Sequence, residues 1–272
     1  MNRISSRSNP LWKNAQRLLH SSRHRHTTGK MVIEGVKLVT CFAQARGLED
    51  ATLLVNEDAV ARNDIQALFQ KFPGAGLHLV SQALFLELSE LDSPEGVLAI
   101  SDIPETALPP RDHFRLLIEG IQDPGNLGSL LRSAAAAQVS SIWLSKQTAD
   151  VWSPKCLRGG MGAQFELAIR QDQEPSEMLK GFSGLVLATD ARSETSLFEI
   201  DMRGPVALIF GSEGNGLSRE FAGLAARSVR IPMSNRVESL NVAAAATICM
   251  FERVRQLGQG SKTSGDGKGG LL

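Results

Sequence analysis

The sequence predicts an α/β protein in two parts, and three observations carry that reading. Apolar runs of strand length alternate with longer helix-like stretches along most of the chain. One segment, SDIPETALPPRD (101–112), interrupts the alternation with three prolines and no apolar period, as a linker does. Beyond it, runs such as SIWLS and VALIF lack the polar alternation of a half-exposed strand, which points to a mostly parallel sheet covered on both faces.

The elements follow in order. Residues 10–20 predict a short helix with Leu11, Leu18 and Leu19 on one side, and SSRHRHTTGK a polar loop. MVIE (31–34) is a strand, and GVKLVTCFAQARG a helix closed by Gly47. TLLV (52–55) is a strand, followed by a helix to about Phe72 and a Pro73-Gly74 turn. LHLV (77–80) leads to QALFLELSE, for which Ser81 is a candidate cap, and GVLAI (96–100) ends the first series. In the second series the strands are RLLIEG (115–120), SIWLS (141–145), GLVLAT (184–189), VALIF (206–210) and SVRI (228–231). Helices are predicted over 126–138, 217–226 and about 239–256, and residues 258–272 as a Gly/Ser/Lys-rich disordered tail.

Composition narrows the function. No run approaches the roughly 18 apolar residues of a membrane helix, and the charged N-terminus lacks a signal-peptide apolar region, so the expectation is a cytoplasmic protein without membrane segments. The three cysteines are widely spaced and odd in number, which argues against a disulfide framework or a CxxC-type zinc site. All five histidines lie at or before His113, so the second half alone holds neither a Ser-His-Asp triad nor a His-ligated metal. Net charge is zero, yet residues 1–30 carry Arg3, Arg7, Lys13, Arg17, Arg23, Arg25 and Lys30 and no acid. This +7 segment is either a phosphate-binding arm or a solvated tail.

Three segments carry chemistry. In IQDPGNLGSLLRSAAAAQ (121–138), Asn126 suits a helix N-cap, and Arg132 is either a surface arginine of an ordinary β-loop-α unit or a guanidinium aimed at the C-terminal mouth of the sheet, where α/β folds bind ligands. In LIFGSEGNGLS (208–218), a buried strand enters a loop whose three glycines permit close approach of a ligand to the backbone. No GK[ST] follows, so this is not a P-loop, and Glu213 disfavours a phosphate ligand and points to a hydroxyl donor or a cation. In RIPMSNRVESLNVAAAATICMFE (230–252), Ser239, Leu240 and Asn241 are placed in a first helical turn, and Ala243–Ala246 allow very close packing.

Together the segments resemble the SpoU/TrmH branch of the SPOUT methyltransferases. The N-x-G-x-x-x-R element runs from Asn126 to Arg132, G-S-E-G-x-G-L from Gly211 to Leu217, and I-P-M…E-S-L-N-V from Ile231 to Val242. SPKCLRGGMGA (153–163) is similar to the family's S-P-x-x-x-R-x-S-x-G-A segment, with Gly160 where Ser is usual; Asn235 stands where a glycine is usual. Residues 10–100 resemble the family's small substrate-binding domain more loosely.

The resemblance implies a trefoil-knotted C-terminal methyltransferase domain (114–257) preceded by a small α/β substrate-binding domain (31–101), with 1–30 as a basic arm and 102–113 as the linker. It implies S-adenosylmethionine without a metal, a homodimer, and methylation of an RNA ribose 2′-hydroxyl, with ribosomal RNA favoured over tRNA. It assigns the cofactor to Thr189, Gly211, Ile231, Met233 and Leu240, and the active site to Arg132, Asn126, Glu213, Ser239 and Asn241. Arg17, Arg23, Arg25, Lys30 and Arg158 are the candidate RNA contacts. Arg132 is either the proton acceptor or a positioning and charge-stabilising group. Two other classes compete: a non-catalytic RNA-binding factor, which the presence of Asn126 and Arg132 disfavours, and a dinucleotide oxidoreductase, which lacks the early G-x-G-x-x-G.

Overall fold

The computed structural model describes the chain except Met1, Glu213, Asn215, Asn235, Arg236 and 261–272. The order is β1 (Asn2–Ile4), α1 (Pro10–His20), α2 (Ser22–Thr28), β2 (Lys30–Glu34), α3 (Val36–Arg46), β3 (Thr52–Asn56), α4 (Asn63–Lys71), β4 (Gly76–Val80), α5 (Gln82–Leu88) and β5 (Val97–Asp102). Then come β6 (Phe114–Ile118), α6 (Pro124–Ala136), β7 (Ser141–Ser145), α7 (Pro154–Gly160), β8 (Ile169–Gln173), α8 (Pro175–Met178), β9 (Leu185–Thr189), β10 (Val206–Phe210), α9 (Arg219–Gly223), β11 (Arg227–Val229) and α10 (Val242–Gly260). The chain forms two compact units. The first holds Met1–Thr106, Asp123–Arg132 and Asp150–Glu166; the second holds Ala107–Gln122, Ser133–Ala149 and Leu167–Leu272.

The first unit contains a five-stranded mixed sheet, β1-β4-β3-β5-β2. β1, β4 and β3 run parallel, and β5 pairs antiparallel with both β3 and β2. Trp12, Ala15, Leu18 and Leu19 of α1 pack with Leu84, Phe85 and Leu88 of α5 against Val32, Leu54, Leu98 and Ile100 of the sheet. The Asn9 side chain starts α1 by accepting the amides of Leu11 and Trp12, and the buried Trp12 indole donates to the Leu84 carbonyl at 3.1 Å. Residues 1–30 are therefore not an arm. β1 completes the sheet edge, α1 supplies core, and the expected loop SSRHRHTTGK contains α2, capped by Ser21. The expected linker yields its first two residues to β5.

The second unit is built on a six-stranded, all-parallel sheet in the order β11-β9-β10-β6-β7-β8. Every residue of β6, β7 and β10 is buried, as strands covered on both faces require. The polar edge strand β8 (IRQDQ) carries no apolar period and was not foreseen. From β6 the chain steps outward through β7 to β8, then returns to the other side of β6 for β9, β10 and β11.

Helix boundaries differ from expectation where capping decides them. α6 begins at Pro124, because Asp123 Oδ1 accepts the Asn126 amide at 2.9 Å, so Asn126 lies inside the helix. α10 begins at Val242 because Asn241 Oδ1 accepts the amides of Ala243 and Ala244, so Ser239 and Leu240 precede it. α10 continues to Gly260, three residues into the expected tail, and 261–272 lie outside the described residues. α9 is shorter than predicted, starting where Ser218 Oγ caps the Phe221 amide.

Because Trp12 is buried and hydrogen-bonded, Trp12→Ala is expected to destabilise the protein by about 3–5 kcal/mol. Denaturant titration followed by circular dichroism measures this. An unchanged midpoint would mean that residues 1–30 are not part of the core.

Candidate active site

The second unit holds a cavity of about 750 Å³. Its wall is made by the C-terminal ends and following residues of three strands, Ala188–Arg192 after β9, Phe210–Ser212 after β10 and Val229–Ile231 after β11. Gly216–Arg219, Met233, Ser239, Leu240, Val242 and Ala245 also line it, with Ala222 and residues 225–228. All five expected cofactor residues, Thr189, Gly211, Ile231, Met233 and Leu240, line this one cavity. Its lining is apolar along Leu217, Leu240, Val242 and Ala245 and polar at the strand ends, the mixture expected of a small-molecule site.

Ser212 and Gly216 exchange backbone hydrogen bonds at 3.2 and 3.0 Å, and Gly216 takes φ +66°. A Cβ on Gly211 would lie 2.3 Å from the Gly216 carbonyl, so no larger residue fits this conformation. The loop's exit is fixed by Glu119, at the end of β6, whose carboxylate accepts the Ser218 amide at 2.9 Å. Glu119 is a residue that the motif reading missed, although an acid directly after a buried strand is a visible signal. Thr189 directs its hydroxyl to the Ile209 carbonyl at 2.9 Å, which ties β9 to β10 beneath the cavity. After β9, residues 190–197 run beside 228–230, joined by bonds such as Asp190 N–H to the Val229 carbonyl and Arg230 N–H to the Thr195 carbonyl.

The five expected active-site residues divide. Ser239 lines the cavity, and Asn241 follows it as the cap of α10. Asn126 and Arg132 lie on the part of α6 that belongs to the first unit. Arg132 is exposed and makes no ion pair or hydrogen bond among the described residues, so its guanidinium is available to a ligand. Asp123, which caps α6, also pairs with Lys155 at 2.6 Å; that ammonium, and then the Asn126 amide, hold its carboxyl below the usual range. Glu213 and the departure Asn235 lie outside the described residues.

The candidate RNA contacts divide as well. Arg17 and Arg23 are exposed. Arg25 is not available: it is 4% exposed and pairs with the buried Asp150 at 2.7 Å while donating to the carbonyls of Leu18 and Leu19. Lys30 pairs with Asp102 at 2.6 Å, and Arg158 with Glu90 at 3.0 Å. The departure at Gly160 has a local cause. A Cβ there would lie 2.2 Å from Gln164 Oε1, and the same buried amide donates to the Cys156 carbonyl at 2.8 Å. Gln164 thus fills the space that a serine at 160 would need.

Among the described residues no group of His, Cys, Asp and Glu is placed to hold a metal ion, and no helix is long and apolar enough to cross a membrane.

The model of the SpoU rRNA methylase family matches residues 113–251, and that of the MRM3-like substrate binding domain matches residues 9–99. A tRNA/rRNA methyltransferase of Synechocystis is 36% identical over 261 residues, 93% of each chain. The 23S rRNA (guanosine(2553)-2'-O)-methyltransferase of Bacillus subtilis is 30% identical over 92% of this chain and 98% of its own. The SpoU methyltransferase AviRb from Streptomyces viridochromogenes, solved in complex with the cofactor AdoMet, superimposes with a TM-score of 0.82 at 27% identity, covering 95% of this chain and all of that one.

The packing at Gly211 generates a prediction. Gly211→Ala is expected to weaken S-adenosylmethionine binding at least about tenfold, because the added methyl must displace the loop that closes the cavity. Isothermal calorimetry measures it; an unchanged affinity would separate the loop from the cofactor.

Proposed function

The chain belongs to the SpoU rRNA methylase family, and from that premise we propose that it transfers a methyl group from S-adenosylmethionine to a ribose 2′-hydroxyl of ribosomal RNA. The observation that carries this reading is the convergence of Thr189, Gly211, Ile231, Met233 and Leu240 on one cavity at the sheet's C-terminal edge. These residues fit the cofactor. Leu240 and its apolar neighbours suit an adenine ring, and the Gly211 loop is too tight for a side chain and so presents backbone. When bound, S-adenosylmethionine supplies a methyl group already activated on a sulfonium.

The chain must therefore hold the ribose hydroxyl in line and manage its proton. A guanidinium is a poor proton acceptor, so Arg132 acts by charge and geometry. Its planar fork holds the ribose oxygen together with an adjoining phosphate and stabilises negative charge as the proton leaves. Ser239, which lines the cavity, and Asn241 beside it orient the ribose. Residues 114–257 serve as the methyltransferase domain and 31–101, together with α1 and α2, as the RNA-reading domain, acting in the cytoplasm as a homodimer. The exposed Phe251 and Leu257 of α10, each 42% accessible, suit a subunit contact.

RNA contact by the N-terminal segment falls to fewer cations than its charge suggests. Arg3 pairs with Glu57, Arg7 with Glu87, Arg25 with Asp150 and Lys30 with Asp102. Lys13, Arg17 and Arg23 remain exposed on α1 and α2 without such partners among the described residues.

Three outcomes are expected. Arg132→Ala lowers transfer to 23S ribosomal RNA by at least about 100-fold, with folding and cofactor affinity retained; near-normal turnover would remove Arg132 from the mechanism. Replacing Lys13, Arg17 and Arg23 together by alanine reduces the slope of log affinity against log salt by about three, not seven, as filter binding over a salt series measures; an unchanged slope would place the phosphates elsewhere. Sedimentation equilibrium gives about twice 29.3 kDa, and a monomer at micromolar concentration would count against the dimer.

A further inference from the structure

Arg158 lies in a motif that suggests an RNA contact, yet its surroundings suit another role. Its guanidinium faces two carboxylates. Nη2 donates to Glu90 Oε2 at 3.0 Å, and Nη1 lies 3.5 Å from Glu34 Oε2. Glu34 is a buried acid whose side chain is 1% exposed. It accepts the Ser89 hydroxyl and, at 3.4 Å, the Glu90 amide. Burial pushes its carboxyl above the usual range, while Ser89, the Glu90 amide and Arg158 draw it back. Two acids around one guanidinium leave a local negative balance, which disfavours a phosphate.

What Arg158 holds is α7, and α7 is packed backbone to backbone on α6. A Cβ on Gly128 would lie 2.6 Å from the Cys156 carbonyl, 2.8 Å from Gly160 N and 2.9 Å from Gly159 C. From the other side, a Cβ on Gly159 would lie 3.2 Å from the Gly125 carbonyl and 3.4 Å from Gly128 Cα. Gly128 sits one turn before Arg132 on the same helix face. With no side chain at these glycine contacts, a displacement of α7 passes directly to the segment that presents Arg132. The N-terminal part of the unit grips α7 at its entry too, through the buried Arg25–Asp150 pair three residues before the Ser153 cap.

We propose that Glu34 and Arg158 are positioning residues for methyl transfer: Glu34, with Glu90, fixes Arg158 and thereby the α7 platform on which the Arg132 segment of α6 rests. The substrate-binding part of the chain then sets the turnover rate as well as RNA affinity. The inference rests on the methyl-transfer reading above.

The test uses the full chain, unmethylated transcribed 23S ribosomal RNA and S-adenosylmethionine. Glu34→Gln, Arg158→Ala and the double variant are compared with wild type; Arg158→Lys substitutes should Arg158→Ala fail to fold. Each single variant is expected to lower kcat about 10- to 100-fold, the range for a small misplacement of a catalytic group. RNA and cofactor dissociation constants stay within about twofold, and the double variant is no slower than Arg158→Ala, because Glu34 acts through Arg158. Amide exchange over 124–132 quickens in the variants. A rise in RNA dissociation constant with kcat intact would make Arg158 an RNA contact and overturn the proposal. Unchanged kcat, or effects that multiply in the double variant, would overturn it equally. A wild type that transfers nothing to ribosomal RNA would sink the functional reading alone, and α6 exchange would then decide the clamp by itself.

Discussion

The second unit depends on one constraint: β10 is buried along its whole length and paired on both edges. Val206–Phe210 align with Phe114–Ile118 on one side, and Val206–Ile209 with Leu185–Ala188 on the other. A strand so enclosed has no polar group free to adjust, so its direction and register are fixed by hydrogen bonding and by apolar burial together. The chain leaving Phe210 must therefore emerge at one place, beside the end of β6, where Glu119 receives the Ser218 amide. The cavity exists because three such exits, after β9, β10 and β11, lie side by side and turn away from the sheet before their helices or returns begin.

Glycine does two different things in this protein. At Gly211 it lets a loop fold onto itself, since the Gly216 carbonyl occupies the place of a Cβ. At Gly128 and Gly159 it lets two helices touch through their backbones. The first shapes a binding surface. The second transmits position, because a contact between backbones has no rotamers to absorb a shift.

Part of the basic charge in the first unit is paired within it. Arg25 and Arg158 look like nucleic-acid contacts in a list of basic residues, but each is claimed by acids that fold brings to it, Asp150 for one and Glu34 with Glu90 for the other. The Arg25–Asp150 pair is buried on both sides; a pair of that kind adds little net stability, yet removing one partner costs about 3–5 kcal/mol, since the other charge is left without compensation. Their effect is to specify one arrangement of the segments they join.

The sequence by itself determined the alternation of strands and helices and the glycine-rich turn after the buried strand Val206–Phe210. Those signals are local: an apolar run, a glycine cluster or a capping side chain carries its meaning within a few residues. It also contained the family likeness, since Asn126–Arg132, Gly211–Leu217 and Ile231–Val242 are contiguous motifs. Tertiary structure decided the rest. β1 has three residues and β8 is polar, so neither announces itself until a neighbouring strand supplies hydrogen bonds. The +7 segment reads as an arm only while Glu57, Glu87, Asp102 and Asp150 are remote in the chain. An ion pair is a property of distance in space. Partners separated by 72 and 125 positions, as Lys30 and Asp102 and as Arg25 and Asp150 are, become visible only when the chain has folded.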